Sequence, residues 1–432
     1  MIIPKRYHKC ELQAEALSPS LPVILTLNEV KGKNLAQGKP CSEGSEAISK
    51  GGVSMDFELS EIHKMFKETI RNFAEKEVVP LVKEAEENET CPAELFSKLG
   101  ELGYLCPAYP VDYGGGGLGK IGDCIMVEEI ARICSGICSG LMVQSGLATS
   151  PILVHGTEGQ KQRFLVPAVK GNKIAAYGLT EPNAGSDAAA IETTAKKDGN
   201  NYVVNGSKIY ITNGQICDFV TLAVSTDKNK GSRGISTLII ERDTPGFSVT
   251  RMRKLGHHSA ATGELFFDNC RLPVDNLIGE DGRGFRYMLE ALNGARISHS
   301  ARSLGTAQAA FEASLNYAKE RVQFGQPIGK FQAISFKLAR MATEVEAARW
   351  LLYRTAWLYD QGEDCRKEAS MTKMFSSDVA IQIAEEAMRI YAGAGYLAES
   401  VIQRYFRDAI LYHITEGSTE IQELLISRAL GL

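Results

Sequence analysis

The sequence predicts an α+β multidomain chain: an all-α N-terminal domain, an antiparallel β middle domain and a C-terminal α-helical bundle. Three observations predict it. Apolar residues recur at helical spacing from Ile62 onward, short β-rich runs replace them between about 175 and 280, and the helical period returns after Gly284. Strands and helices do not alternate, which disfavours a doubly wound nucleotide fold.

Residues 1–54 mix Pro, Gly, Lys and Ser around a short apolar patch, Leu21-Pro22-Val23-Ile24-Leu25. They read as an N-terminal extension, because the patch is too short and too far in for a signal peptide and the segment lacks the Arg-rich amphipathic character of a transit peptide. Residues 55–174 form the expected helical domain. Ile62, Phe66, Ile70 and Phe73 share one face, Pro80 limits that run, and helical stretches follow at Phe96-Leu99, Ile125-Ile133 and Gln160-Val169. Residues 175–283 form the expected β-barrel-like middle domain. There Asn205-Gly206 lies between two β-rich runs and predicts a two-residue hairpin, with further strands at Phe219-Val224, Ser236-Glu241, Ser248-Met252 and Glu264-Leu272. Residues 284–432 form the bundle. One seam is Leu338, Met341, Val345, Ala348 and Leu352; another is Met374, Ser377, Ile381, Ala384, Met388 and Tyr391.

A chain of 432 residues with 44% hydrophobic and 23% charged residues has ordinary globular composition, and a net charge of -4 argues against nucleic acid as main partner. No apolar run approaches the roughly 18 to 20 residues of a membrane span, so no membrane span is expected. The ten cysteines lack the spacing of a zinc or redox pair, suit a reducing compartment and predict no metal site. Cys134 and Cys138 read as buried thiols on a helix.

Four loops carry possible chemistry. Ile414-Thr415-Glu416-Gly417-Ser418-Thr419 sets a carboxylate beside a glycine, and Thr419 with Gln422 has the spacing of a capping box that opens a helix. A base beside a close-approach glycine and an ordinary solvated turn both fit. Tyr177 to Asp187 is rich in small residues and hydroxyls, suited to a planar ligand or to a tight interdomain turn. Ala392-Gly393-Ala394-Gly395-Tyr396 permits a close backbone approach or a helix cap, and it lacks the dinucleotide fingerprint. Arg321-Val322-Gln323-Phe324-Gly325 sets an arginine at a helix end, solvated or poised for a pyrophosphate.

In order and at these separations, Leu179-Thr180-Glu181-Pro182-Asn183-Ala184-Gly185-Ser186-Asp187, Arg321-Val322-Gln323-Phe324-Gly325 and Glu416-Gly417-Ser418-Thr419 with Ile421-Gln422 resemble the acyl-CoA dehydrogenase family. The resemblance runs from Met55 to Leu432. It implies that family's fold, FAD as cofactor, an acyl-CoA substrate, an electron-transfer flavoprotein as acceptor and a homotetramer built as a dimer of dimers. Tyr177, Leu179, Thr180, Gly185, Ser186, Tyr210, Ile211 and Thr212 match positions around the flavin ring. Arg321, Gln323, Phe324 and Gln332 match positions that hold the dinucleotide across a subunit interface. Ala392, Gly393, Gly395, Ser418, Thr419 and Glu420 match positions that close over it. Ser186, Asn293, Arg296, Gly417 and Arg428 match positions that meet the CoA thioester.

Glu416 takes the place of the family's usual catalytic base, and Ala295 stands where other members carry theirs. The implied reaction is α,β-dehydrogenation to a trans-2-enoyl-CoA in carboxylic or fatty acid degradation: Glu416 takes the α-proton and hydride passes to flavin N5. An acyl-CoA oxidase, an enoyl-CoA reductase and a non-catalytic flavin-binding protein are the alternatives. The expected location is the bacterial cytoplasm, or the mitochondrial matrix in a eukaryote. Thr415 and Tyr210 replace larger aromatic residues common in relatives, which favours a short, branched or cyclic acyl group. Cys138 stands where glutaryl-CoA-specific relatives place a cation, which disfavours a dicarboxylic one. His258 replaces a common arginine and receives no role.

Overall fold

The computed structural model describes residues 58–432, so the expected 1–54 extension lies outside the described residues. The first helix, Glu61–Phe73, buries Phe66 and Ile70 one turn apart, whereas Ile62 is exposed. Pro80 does not end this run as the sequence suggested. A π-type turn at Ala74–Val78 leads straight into a helix at Val79–Glu87. Pro80 lies in its first turn, where a missing N–H costs little.

Gly119–Ile133 and Ser135–Met142 continue the helical layer. The stretch Ser135–His155 corrects the expectation that no apolar run nears spanning length. It is 21 residues long and its most apolar window has a mean hydropathy of 1.4, yet 78% of that window is buried inside the protein, as a core helix requires.

Seven strands follow: β1 (Ala175–Gly178), β2 (Thr194–Asp198), β3 (Asn201–Ile211), β4 (Phe219–Ser225), β5 (Ile235–Glu241), β6 (Phe247–Arg251) and β7 (Gly263–Pro273). Their order is β1-β4-β2-β3-β7-β6, with β5 on β4. Most pairings are antiparallel, as expected, but β1 and β2 each pair β4 in parallel. A parallel pair needs a long connection, and the chain between β1 and β4 supplies one. On β4, Val220, Leu222 and Val224 face the interior of the β domain, while Phe219 and Ala223 join the main helical core. Burial on both faces explains why β4 reads as a continuous apolar run.

The Asn205-Gly206 hairpin does not form. β3 runs unbroken through both residues, and the chain instead turns between Asp198 and Asn201, which pair across β2 and β3. Gly206 lies at a bulge in the β3–β7 pairing. Its φ is 145°, and a Cβ there would come within 2.5 Å of the Thr193 hydroxyl. The glycine thus answers a close approach of chains and not a turn.

The 37-residue helix Gly284–Glu320 is buried along most of its middle. It packs against Gly119–Ile133, Gln332–Asp360 and Arg366–Tyr391. The seam on Gln332–Asp360 is as expected. In the second seam Ser377 and Ala384 are buried as expected, but Met374, Ile381, Met388 and Tyr391 are only half-buried and the main buried line lies about one residue earlier. Its fully buried line is Lys373, Ser376, Ala380, Ile383, Ala387 and Ile390, because small side chains let Arg366–Tyr391 lie close to the central helix.

Candidate active site

Glu416 lies between Val401–Ala409 and the last helix, Thr419–Ala429, at the buried side of the bundle. Its φ of 55° is left-handed, a conformation that costs a non-glycine residue roughly 1 kcal/mol or more and persists where surroundings over-determine it. Those surroundings are visible. Arg296 Nε donates to the Glu416 carbonyl at 3.4 Å, and Gln422 Nε2 donates to the Gly417 carbonyl at 2.9 Å and to the Glu416 carbonyl at 3.3 Å. The expected Thr419–Gln422 capping box is therefore absent: Ser418 is the N-cap residue and the Gln422 amide clasps the loop instead. A Cβ on Gly417 would fall 2.8 Å from that amide.

The Glu416 carboxylate is almost buried and its Oε2 has no hydrogen-bond partner. His299 Nε2 lies 3.5 Å from it and the Arg302 guanidinium 3.7 Å. Both also bond the Thr415 hydroxyl, at 3.1 and 3.2 Å. Burial, reinforced by the Arg302 and Lys373 charges, pushes His299 well below the usual imidazole range. Burial also pushes the Lys373 ammonium down to about 8, against the pull of Glu416.

Behind this group a polar network crosses the core. Arg302 donates to Ser139 at 2.7 Å, Ser139 meets His257 Nδ1 at 3.0 Å, and the His257 backbone N–H donates to Asp408 at 2.6 Å. His258, for which the sequence offered no role, bonds the Lys254 carbonyl at 3.1 Å. Burial, then the nearby Glu86 charge, raises Asp408 to about 6. Asp408 in the folded protein therefore keeps its proton to higher pH than in the unfolded chain, so stability falls as pH rises from about 4 to about 6. The full shift corresponds to about 3 kcal/mol. Asp408→Asn is expected to gain about that much relative to wild type between pH 4 and pH 7, measured by the unfolding midpoint. A difference independent of pH would contradict this.

The Tyr177–Ser186 loop reaches the same region. Tyr177 donates to the Met288 carbonyl at 2.9 Å, while burial pushes its phenol well up against the nearby Arg296 charge. Thr180 is tied to β3 through the Ile209 N–H at 2.9 Å. A buried ion pair locks the loop: Lys208 Nζ meets Glu181 at 2.6 Å and the Leu179 carbonyl at 3.0 Å. Glu181 also accepts from the Glu192 and Thr193 N–H groups at 2.5 and 3.1 Å. Burial opposes the Glu181 charge, but Lys208 and these donors outweigh it and hold the carboxyl below its usual range. Burial pushes Lys208 down to about 8.

The structure thus gathers Tyr177, Asn293, Arg296, Glu416 and Gly417, and joins Leu179 and Thr180 to the strand bearing Tyr210 and Ile211, with Thr212 in the turn that follows. Arg321, Gln323, Phe324 and Gln332 stand apart on the hairpin Val322–Gln323/Gln326–Pro327 and the helix start after it. Among the described residues, no hydrogen bond or ion pair links them to the Glu416 loop. Ala392, Gly393, Ser186 and Arg428 are exposed. Sequence reasoning missed Lys208, His299, Arg302 and Lys373. Lys208 had a signal, since it falls on the inward side of β3 with Tyr202 and Val204.

Comparison with known proteins agrees with this architecture. Family models for the N-terminal, middle and C-terminal domains of acyl-CoA dehydrogenase match residues 60–172, 176–270 and 282–431. A probable acyl-CoA dehydrogenase, YngJ of Bacillus subtilis, is 42% identical over 87% of this chain and all of its own length. The structure of butyryl-CoA dehydrogenase from Megasphaera elsdenii superposes with a TM-score of 0.85 at 40% identity, covering 88% of this chain and 100% of that one. A structure of the electron transferring flavoprotein of Acidaminococcus fermentans gives a TM-score of 0.85 at 41% identity, covering 87% and 99%. The chain belongs to the acyl-CoA dehydrogenase family, whose members are FAD-dependent oxidoreductases acting on CH–CH groups.

The residues present fit that cofactor. Of the eight left-handed non-glycine residues among the described residues, Tyr210, Phe324, Ala392 and Glu416 fall one in each of four segments expected around it. Tyr210, Phe324 and Tyr396 expose 65%, 94% and 83% of their surface, and the buried Thr419 hydroxyl lacks a partner at the start of the last helix. Exposed rings and an orphaned hydroxyl at a helix N-terminus suit a planar ring system with a polar tail.

Proposed function

We propose that Glu416 is the α-proton base in FAD-dependent dehydrogenation of a short-chain, branched or cyclic acyl-CoA, with electrons leaving to an electron-transfer flavoprotein. The observation that carries this reading is the Glu416 carboxylate, buried on a fixed loop with no hydrogen bond to Oε2. A carboxylate oxygen with no hydrogen bond is free to receive a proton. Among the described residues, the Glu416 backbone N–H donates no hydrogen bond, which leaves it available to the thioester carbonyl as charge develops there. Ala295 is buried and carries no carboxylate that could compete for the proton.

FAD, when bound, supplies the acceptor for the β-hydrogen. Tyr177, Leu179, Thr180, Gly185, Ser186, Tyr210, Ile211 and Thr212 hold its ring in this reading. Arg321, Gln323, Phe324 and Gln332 serve a neighbouring copy's dinucleotide in a tetramer, in keeping with their exposure and distance from the chain's own base. Ala392, Gly393, Gly395, Ser418, Thr419 and Glu420 close the site, and Ser186, Asn293, Arg296, Gly417 and Arg428 meet the CoA thioester. The butyryl-CoA and electron transferring flavoprotein relatives support the short chain and the acceptor.

Anaerobic titration with butanoyl-, isobutanoyl-, cyclohexanecarboxyl- and palmitoyl-CoA tests the reading through flavin bleaching. At least one of the first three is expected to bleach faster than palmitoyl-CoA. Preference for palmitoyl-CoA would overturn the substrate assignment, and no bleaching by any thioester would overturn the reaction.

A further inference from the structure

Resting on the assignment of Glu416 as base, we infer that Arg302 is a positioning residue for that base and acts on it through the Thr415 hydroxyl. Arg302 lies one turn from His299 on the central helix Gly284–Glu320, so the two side chains leave the same face. The guanidinium is buried and its plane makes several attachments at once. Nη1 donates to Ser139, on the helix Ser135–Met142, at 2.7 Å, and Nη2 donates to the Thr415 hydroxyl at 3.2 Å. The group stacks on the Tyr412 ring at 5.2 Å, and Nη2 comes within 3.7 Å of Glu416 Oε2. One rigid cation thus ties a neighbouring helix to the segment that leads into the base.

These contacts converge on Thr415. Its hydroxyl donates to the Leu411 carbonyl at 3.5 Å, which leaves its lone pairs for Arg302 and for His299 Nε2, the latter at 3.1 Å. The residue before Glu416 is therefore fixed from the central helix, while Arg296 and Gln422 hold the Glu416 carbonyl on the other side. The left-handed φ of Glu416 persists under that double restraint. The threonine that replaces a larger aromatic residue of relatives supplies an anchor as well as room.

Contact with the base itself is of another kind. At 3.5 and 3.7 Å, His299 and Arg302 approach Oε2 without hydrogen-bonding it. The carboxylate is aimed through its neighbour, and the oxygen that receives the α-proton stays open. A misplacement of about 1 Å can cost a rate about a hundredfold, so such an anchor matters to the reaction.

Anaerobic flavin bleaching in the holoenzyme tests this, with whichever of butanoyl-, isobutanoyl-, cyclohexanecarboxyl- and palmitoyl-CoA bleaches fastest. Arg302→Met is expected to lower the limiting rate about ten- to a hundredfold while half-saturation changes less than about threefold. Thr415→Val should act in the same way but more weakly. Arg302→Lys, which keeps a donor, should recover part of the first loss, and Thr415→Ser, which keeps the acceptor, part of the second. The decisive variant adds Arg302→Met to Glu416→Gln. A residue that acts only through the base costs nothing more once the base is gone, so the double variant should bleach within about twofold of Glu416→Gln alone. FAD content and thermal midpoint report folding, and if the Met variant does not fold, Thr415→Val decides, alone and on Glu416→Gln. Losses that multiply in the double variant, or a raised half-saturation with an unchanged limiting rate, would overturn the positioning role and leave Glu416 standing as base. Undiminished bleaching by Glu416→Gln itself would instead defeat the underlying reading.

Discussion

Glu416→Gln is expected to lower kcat by about 10²–10⁴ with the flavin still bound, because general-base proton transfer contributes a factor of that order. Glutamine keeps the size of the side chain and accepts no proton at working pH. The loop should hold its shape. Its clasp comes from Arg296 and Gln422 acting on backbone carbonyls, which the substitution leaves in place. KM should change far less than kcat, since the lost interaction belongs to the transition state. Stopped-flow bleaching under anaerobic conditions measures the step directly. Undiminished bleaching would assign the proton to another group, and a colourless protein would mean that the residue serves cofactor binding instead.

Lys208→Met is the second large effect, expected to destabilise the protein by about 3–5 kcal/mol. Removing one partner of a buried ion pair leaves the other charge uncompensated. Lys208 is fully buried and Glu181 nearly so. The Glu192 and Thr193 N–H groups still bond Glu181, which places the loss nearer the lower figure. The Leu179 carbonyl loses its donor as well, so the loop that is expected to border the flavin should loosen and FAD should dissociate more readily on dilution. Adding Glu181→Gln to Lys208→Met should recover part of the stability, because the stranded charge is gone. A double variant no more stable than the single one would show that the pair's charges are not what the loop depends on.

Much of the chain was legible from its periodicities. The change from helical spacing to β-rich runs and back corresponds to the strands between Ala175 and Pro273 and the helices on either side. Misreadings came where a local rule met a tertiary partner. Asn205-Gly206 is a strong turn signal in isolation, but β3 is held on both sides by β2 and β7, and pairing along its whole length outweighs the turn. Pro80 breaks a helix only when its N–H is needed, and a π-type turn put it where none was. Thr419 and Gln422 have capping spacing, yet Gln422 found carbonyls of the preceding loop within reach.

By itself the sequence determined the succession of helices and strands, the family and the candidate base at Glu416, because periodicity and motif spacing are local properties of the chain. Only the tertiary structure decided what faces that base. His299 and Arg302 lie on the central helix and Lys373 on Arg366–Tyr391. Helical spacing tells which side of each helix is turned inward, whereas the partner a buried polar group meets is set by how the helices pack. That packing places His299 and Arg302 against the one carboxylate of Glu416, with the Lys373 charge acting on it, an arrangement that no spacing in the sequence announces.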